Sequence, residues 1–174
     1  AKALLAWQEG TRIRLERFRG DPQDGRLAPL STRTISRRGK RPILAAEGAR
    51  VAIGFDRANR SVILTSRDGG ASFARRARFD RPVTSGPSGI DSLAVRGRDV
   101  VATMVVYYGG DAWDRHRLRS RDGGKTWARS RVADPVAAIP VDGFLVTRHG
   151  VKVAEAYTDG EYASKSDLRV RREQ

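Results

Sequence analysis

Residues 66–73 read SRDGGASF, and fifty-four positions later residues 120–127 read SRDGGKTW. A tight hairpin between two strands needs glycine where φ is positive. An aspartate at such a turn accepts hydrogen bonds from backbone N–H groups that the turn leaves unpaired, and serine or threonine hydroxyls serve the neighbouring groups. The closing aromatic, Phe73 or Trp127, is expected to bury its apolar face against its own sheet and the next one. Each octet therefore reads as a staple between two strands.

The flanking sequence supports that reading. Period-2 alternation at 11–18 (TRIRLERF), 51–55 and 61–65 predicts half-buried strands. Further strands are expected at 100–107, 115–121, 127–132, 143–147 and 151–157, with Gly, Pro, Asp and Asn clusters between them. The fold class is all-β.

The spacing also betrays an internal repeat. Leu44-Ala45-Ala46-Glu47-Gly48 lies over Leu93-Ala94-Val95-Arg96-Gly97 at an offset of 49, and similar openings end at Gly10 and Gly150. Four units result, each with a short strand, a turn at the glycine and a second strand; the middle two add a third strand, the octet and a fourth. This predicts a single β-propeller domain, or part of one, with about four four-stranded antiparallel blades at approximately residues 1–40, 41–82, 88–134 and 139–170. Arg37-Arg38-Gly39-Lys40 stands where the first unit's octet belongs, and Ser164-Lys165-Ser166-Asp167-Leu168 ends the last.

The octets resemble the Asp box, the Ser-x-Asp-x-Gly-x-Thr-Trp motif of the bacterial neuraminidase repeats in sialidase-like β-propellers. Ser66, Asp68, Gly70, Ser72 and Phe73 match with conservative changes in the last two places, and Ser120, Asp122, Gly124, Thr126 and Trp127 match throughout. The resemblance implies that the boxes are structural and lie on the face opposite the substrate pocket. Closed propellers of the family usually have six or more blades. The array is thus expected to be completed by another chain or further residues, or to be unusually small.

Antiparallel connectivity puts the connection between second and third strands at the end opposite the octet. The growth in offset from 49 to 54 fits residues 107–114, whose counterpart in the preceding unit is the short 56–60. Tyr107, Tyr108, Asp111, Trp113 and Asp114, with His116 directly after, are the candidate ligand-binding residues. Aromatic rings beside carboxylates suit stacking on a sugar face or a protein hot spot. The alternative is a long hairpin whose aromatics pack down on the sheet. The crossover 81–91 is expected at the same end, as a plain connection.

No catalytic residue is assigned. Sialidase chemistry, as the resemblance implies it, uses an arginine triad, a tyrosine activated by glutamate and an aspartic acid, but the Arg-Ile-Pro signature of such domains is missing. Asp68 and Asp122 read as turn acceptors rather than as a catalytic pair or calcium site. His116 and His149 lack metal-ligand spacing, each Gly-Gly pair belongs to a turn, and neither metal nor cofactor is expected. Cysteine is absent, which removes disulfides, thiolate metal sites and a thiol nucleophile. No apolar run approaches the roughly eighteen residues of a membrane span, and no signal peptide is recognisable. The chain begins Ala1-Lys2-Ala3, which fits either a removed leader or an excerpt of a longer chain.

Lys and Arg number 34 against 20 Asp and Glu, a formal charge of +14, and 29 of the cations are arginine. Such a surface attracts anions of any kind. The arginines alternate with other residues along the whole chain, as at Arg12, Arg14, Arg17 and Arg19 or Arg115, Arg117, Arg119 and Arg121, and so read as charged strand faces. The functional expectation is a non-catalytic binding or scaffold module, periplasmic or extracellular, whose partner is an acidic protein, a larger membrane-associated complex or an anionic glycan. Two alternatives stay open: a sialidase-like glycoside hydrolase with catalytic residues partly outside this chain, and a basic nucleic-acid-binding protein.

Overall fold

The computed structural model describes residues 2–20, 26–80, 88–109, 112–132, 141–147 and 150–156. They form strands β1 (Lys2–Glu9), β2 (Arg12–Gly20), β3 (Leu27–Ser36), β4 (Lys40–Glu47), β5 (Arg50–Arg57), β6 (Arg60–Ser66), β7 (Arg75–Asp80), β8 (Gly89–Arg96), β9 (Asp99–Gly109), β10 (Ala112–Ser120), β11 (Ala128–Val132), β12 (Val141–Thr147) and β13 (Gly150–Ala156). The protein is all-β, with no helix among the described residues. Every sheet is an antiparallel meander: β1-β2-β3, then β4-β5-β6-β7, then β8-β9-β10-β11, then the pair β12-β13. The expected fourth strand of the last unit and its closing residues 164–168 lie outside the described residues.

Three sheets open with the same turn. Gly10, Gly48 and Gly97 adopt φ of +59°, +56° and +56° with open space around them, so backbone conformation and not packing selects glycine there. The next residues, Thr11, Ala49 and Arg98, accept hydrogen bonds from the amides of Gly39, Gly69 and Gly123 at 2.7, 2.7 and 2.8 Å. Residues 36–39 are therefore a shortened octet. The Arg38 amide donates to Ser36 Oγ at 3.3 Å as the Asp68 amide donates to Ser66 Oγ at 3.3 Å, and Arg38 stands where the carboxylate belongs.

That short turn leads straight into β4, so the first sheet stops at three strands. It also packs upside down on the second. Gln8, near the end of β1, accepts from the amide of Arg41 at the start of β4 at 3.0 Å, while Leu4 at the start of β1 reaches Gly70 in the octet. The second and third sheets share their ends. Glu47, closing β4, accepts from Arg96 and from the Gly97 amide, which close β8.

The central strands of the second sheet, β5 and β6, are buried on both faces. Ile53, Phe55, Val62 and Leu64 meet Ile13 of the first sheet, whereas Ala52 and Ile63 meet the third sheet through Val95, Val100, Ala102, Met104 and Leu118. Residues 51–55 and 61–65 are thus fully buried and not half-buried as their alternation suggests. The unbroken apolar runs VAIGF and SVILT carry that information, because a strand covered on both sides has no solvent face to keep polar. Strand β2 keeps the expected alternation, with Ile13 and Leu15 buried between more exposed neighbours. The third strand of the first unit, β3, is unannounced by its sequence: it is exposed over Leu27–Thr34 and carries Pro29, a residue tolerated on a sheet edge.

Candidate functional site

The octet carboxylates are consumed by their own turns. Ser66 Oγ donates to Asp68 Oδ1 at 2.6 Å and accepts from the Gly70 amide at 2.9 Å; Asp68 in turn accepts from the amide and hydroxyl of Ser72 at 2.8 and 2.5 Å. In the second copy Ser120 Oγ bonds Asp122 Oδ1 at 2.8 Å and the Gly124 amide at 2.7 Å. Asp122 accepts from the amides of Lys125 and Thr126 at 2.8 and 3.0 Å and from Thr126 Oγ1 at 2.6 Å. These donors hold both carboxyls well below the usual carboxylate range, led by the Ser66 hydroxyl at Asp68 and the Thr126 hydroxyl at Asp122.

Each octet also docks one sheet on another. Thr65 Oγ1 donates to the Gly123 carbonyl at 3.0 Å, and Arg75 Nη1 donates to the carbonyls of Asp122 and Gly123 at 3.1 Å each. Phe73 joins the core between the first two sheets, and Trp127 joins the core between the second and third, edge-on to Phe79 at 5.5 Å. The aromatics thus turn toward the preceding sheet and not the next one as expected.

At the opposite end, residues 107–109 and 112–114 are strand and not an irregular insertion. β9 runs on to Gly109 and β10 starts at Ala112, with Tyr108 bulged where Ala112 faces Gly109 and Trp113 faces Tyr107. Asp111 and His149 lie outside the described residues, and Trp113 is placed by its backbone. Tyr107 is half-buried and its amide donates to Ser88 Oγ at 2.8 Å. Tyr108 is exposed, and its hydroxyl donates to Asp114 Oδ2 at 3.1 Å, while Arg131 pairs with Asp114 Oδ1. Burial raises the Tyr108 pKa first, and the Asp114 carboxylate adds to the shift against the lowering by Arg129 and Arg131.

His116 is buried, and neither ring nitrogen has a hydrogen-bond partner among the described residues. Burial and then Arg129 lower its pKa, partly opposed by Asp114 and reinforced by Arg131. Asp114 is engaged by Tyr108 and Arg131, so the cluster is not assembled as a carboxylate–histidine dyad. A pH dependence follows. Because the folded pKa is depressed, the unfolded chain binds the proton first as pH falls below the ordinary value of 6.5. Stability should be level above that value and decline below it, by at most about 1.4 kcal/mol per pH unit. Urea unfolding of His116→Val between about pH 6.5 and 4.5, above the ordinary carboxylate range, should show that slope removed.

Two pairs of arginines were not singled out by their spacing alone. Arg76 pairs with Leu64 and Arg78 with Val62; Arg129 pairs with Leu118 and Arg131 with His116. Leu64 and Leu118 each stand two residues before the serine of an octet, so the pairs are equivalent positions of the repeat. All four are exposed on the outer strands β7 and β11. Arg57 and Arg60 add two more at the neighbouring β5–β6 turn, and Arg60 pairs with Asp80 at 2.7 Å. Burial, then the guanidiniums of Arg78 and Arg57, lower the Arg76 pKa, a sign of cations pressed together. Arg129 reaches the Asp80 carbonyl at 3.2 Å, which joins the two rims.

Among the described residues no three His, Asp or Glu gather as a metal site, and no helix is long and apolar enough to cross a membrane. No protein-family model and no curated protein matches the chain.

Proposed function

We propose that this chain is a non-catalytic binding module of the Asp-box propeller type, in which the second and third sheets are consecutive blades and the inverted first sheet covers the exposed face of the second. The reading includes an extracytoplasmic location and an acidic protein surface as partner. The repeated arginine pair on β7 and β11 carries it: equivalent positions of two units present cations outward, with Asp80 and Asp114 as neighbouring acids already paired to Arg60 and Arg131. Clustered guanidiniums that repel one another gain from a carboxylate-bearing partner, and the gain is sensitive to salt. The octet carboxylates, satisfied within their turns, supply the scaffold.

Fluorescence anisotropy with labelled poly-L-glutamate tests it. Replacing Arg76, Arg78, Arg129 and Arg131 together with glutamine is expected to weaken binding about a hundredfold at low salt. The same change at Arg12, Arg19, Arg67 and Arg121, exposed but scattered, alters net charge equally and should cost far less. Equal losses would mean that only overall charge matters.

A further inference from the structure

The inverted packing of the first sheet leaves a cleft of about 500 Å³ against the octet end of the second. Its lining combines Leu4, Phe18 and Leu30 of the first sheet and Leu44 and Ala46 of the second with polar surface, and the Gly48–Ala49 turn and Gly69 stand at its end. Small residues keep it open: Gly48 and Gly69 hold positive φ, and Ala3, Ala46 and Ala49 project little. The volume lies within the range of small-molecule sites, roughly 300–1,000 Å³.

Among the described residues one cation, Arg17, lines the cleft. Alternation along β2 puts Ile13, Leu15 and Arg17 on the same face; the first two are completely buried against the second sheet, and Arg17 takes the third place, opposite Leu4. Strand patterning calls for an apolar residue there. The Arg17 side chain has no hydrogen bond or ion pair among the described residues. The nearest acids of the sheet are used elsewhere, Glu16 as acceptor for Thr32 Oγ1 and Glu9 beside Arg14. A side-chain cation without a partner on a cleft that also carries leucine side chains matches a ligand with one negative end and an apolar body.

We infer that the cleft binds an amphiphilic carboxylate, with the carboxylate paired to the Arg17 guanidinium and the chain lying over Leu4, Leu30 and Leu44. This site is remote in sequence from the arginine pairs of β7 and β11 and does not rest on their proposed role. Isothermal titration with dodecanoate and with dodecanol, the uncharged analogue of the same length, tests it. The protein should bind dodecanoate saturably at one site. Arg17→Gln should weaken dodecanoate about tenfold and leave dodecanol unchanged, and Ala46→Trp, at a partly open strand position, should abolish both by filling the cleft. Absence of saturable binding by the native protein, an unchanged dodecanoate-to-dodecanol preference in Arg17→Gln, or full dodecanoate affinity in Ala46→Trp would each overturn the inference. Urea midpoints of both variants verify that they are folded, and Ala46→Trp decides the matter if Arg17→Gln is not.

Discussion

Gly124→Ala is expected to lower the stability of the fold by about 3 kcal/mol. Gly124 holds φ at +91°, outside even the small left-handed region open to other residues, and a methyl group would lie 2.8 Å from Thr65 Cγ2. Thr65 cannot yield freely, because its hydroxyl is buried and bonded to the Gly123 carbonyl across the sheet interface. The cost therefore combines backbone strain with loss of that contact. Gly123→Ala and Gly97→Ala isolate the first component: φ is +74° and +56°, but the nearest atoms around a new Cβ are 3.6 Å away in one case and beyond 4 Å in the other. Each should cost only about 1 kcal/mol. Urea unfolding of the three variants reads the difference, and equal costs would remove the octet's part in docking the second and third sheets.

Gly89→Ala should be similarly damaging, about 3 kcal/mol, for an electrostatic reason. At φ +155° the new methyl group would occupy the space of Asp56 Oδ2 and Arg41 Nη2. Arg41 donates to Asp56 at 3.0 and 2.7 Å and to the Ser88 carbonyl, and Ser61 Oγ donates to the other carboxylate oxygen at 2.9 Å. Asp56 is buried while Arg41 is half-exposed, so separating them strands a carboxylate away from water. This cluster ties β4, β5 and β6 to the segment entering β8. In a double-mutant cycle, Gly89→Ala should cost much less once Asp56 is alanine; additive costs would show that Gly89 acts through its backbone alone.

Local chemistry was legible in the sequence where it is completed locally. The Ser, the Asp and the Ser72 or Thr126 of each octet bond within six residues of one another, so their spacing announces the turn. The order of strands in the second and third sheets follows for the same reason, because each connection is a short hairpin. The inverted first sheet was hidden. It depends on Ser36-Arg37-Arg38-Gly39 leading directly into β4, and on β3, whose Pro29 and Ser/Thr-rich run resemble a connection more than a strand. Full burial at 51–55 and 61–65 is decided by a covering sheet from elsewhere in the chain, which their own alternation does not encode. At the candidate site, the closeness of Tyr108, Asp114 and His116 in sequence goes with a Tyr108–Asp114 hydrogen bond and an Asp114 charge that acts on His116. Their partners Arg129 and Arg131 came from the next strand, where even scatter of arginine masked a repeated pair. His116 occupies the position of Val62 in the preceding unit, and its burial is a property of that position.

Asp122→Ala separates the scaffold from the proposed binding surface in one variant. It removes the acceptor of the Lys125 and Thr126 amides and of the Ser120 and Thr126 hydroxyls, on the end of the sheets opposite the β9–β10 hairpin and without touching the outer arginines. Urea unfolding and poly-L-glutamate anisotropy are to be measured on the same preparation, with affinity referred to the folded fraction. A clear fall in the urea midpoint with affinity unchanged is the expected result. An unchanged midpoint with binding lost would contradict the assignment of the octets to the fold and of recognition to the arginines.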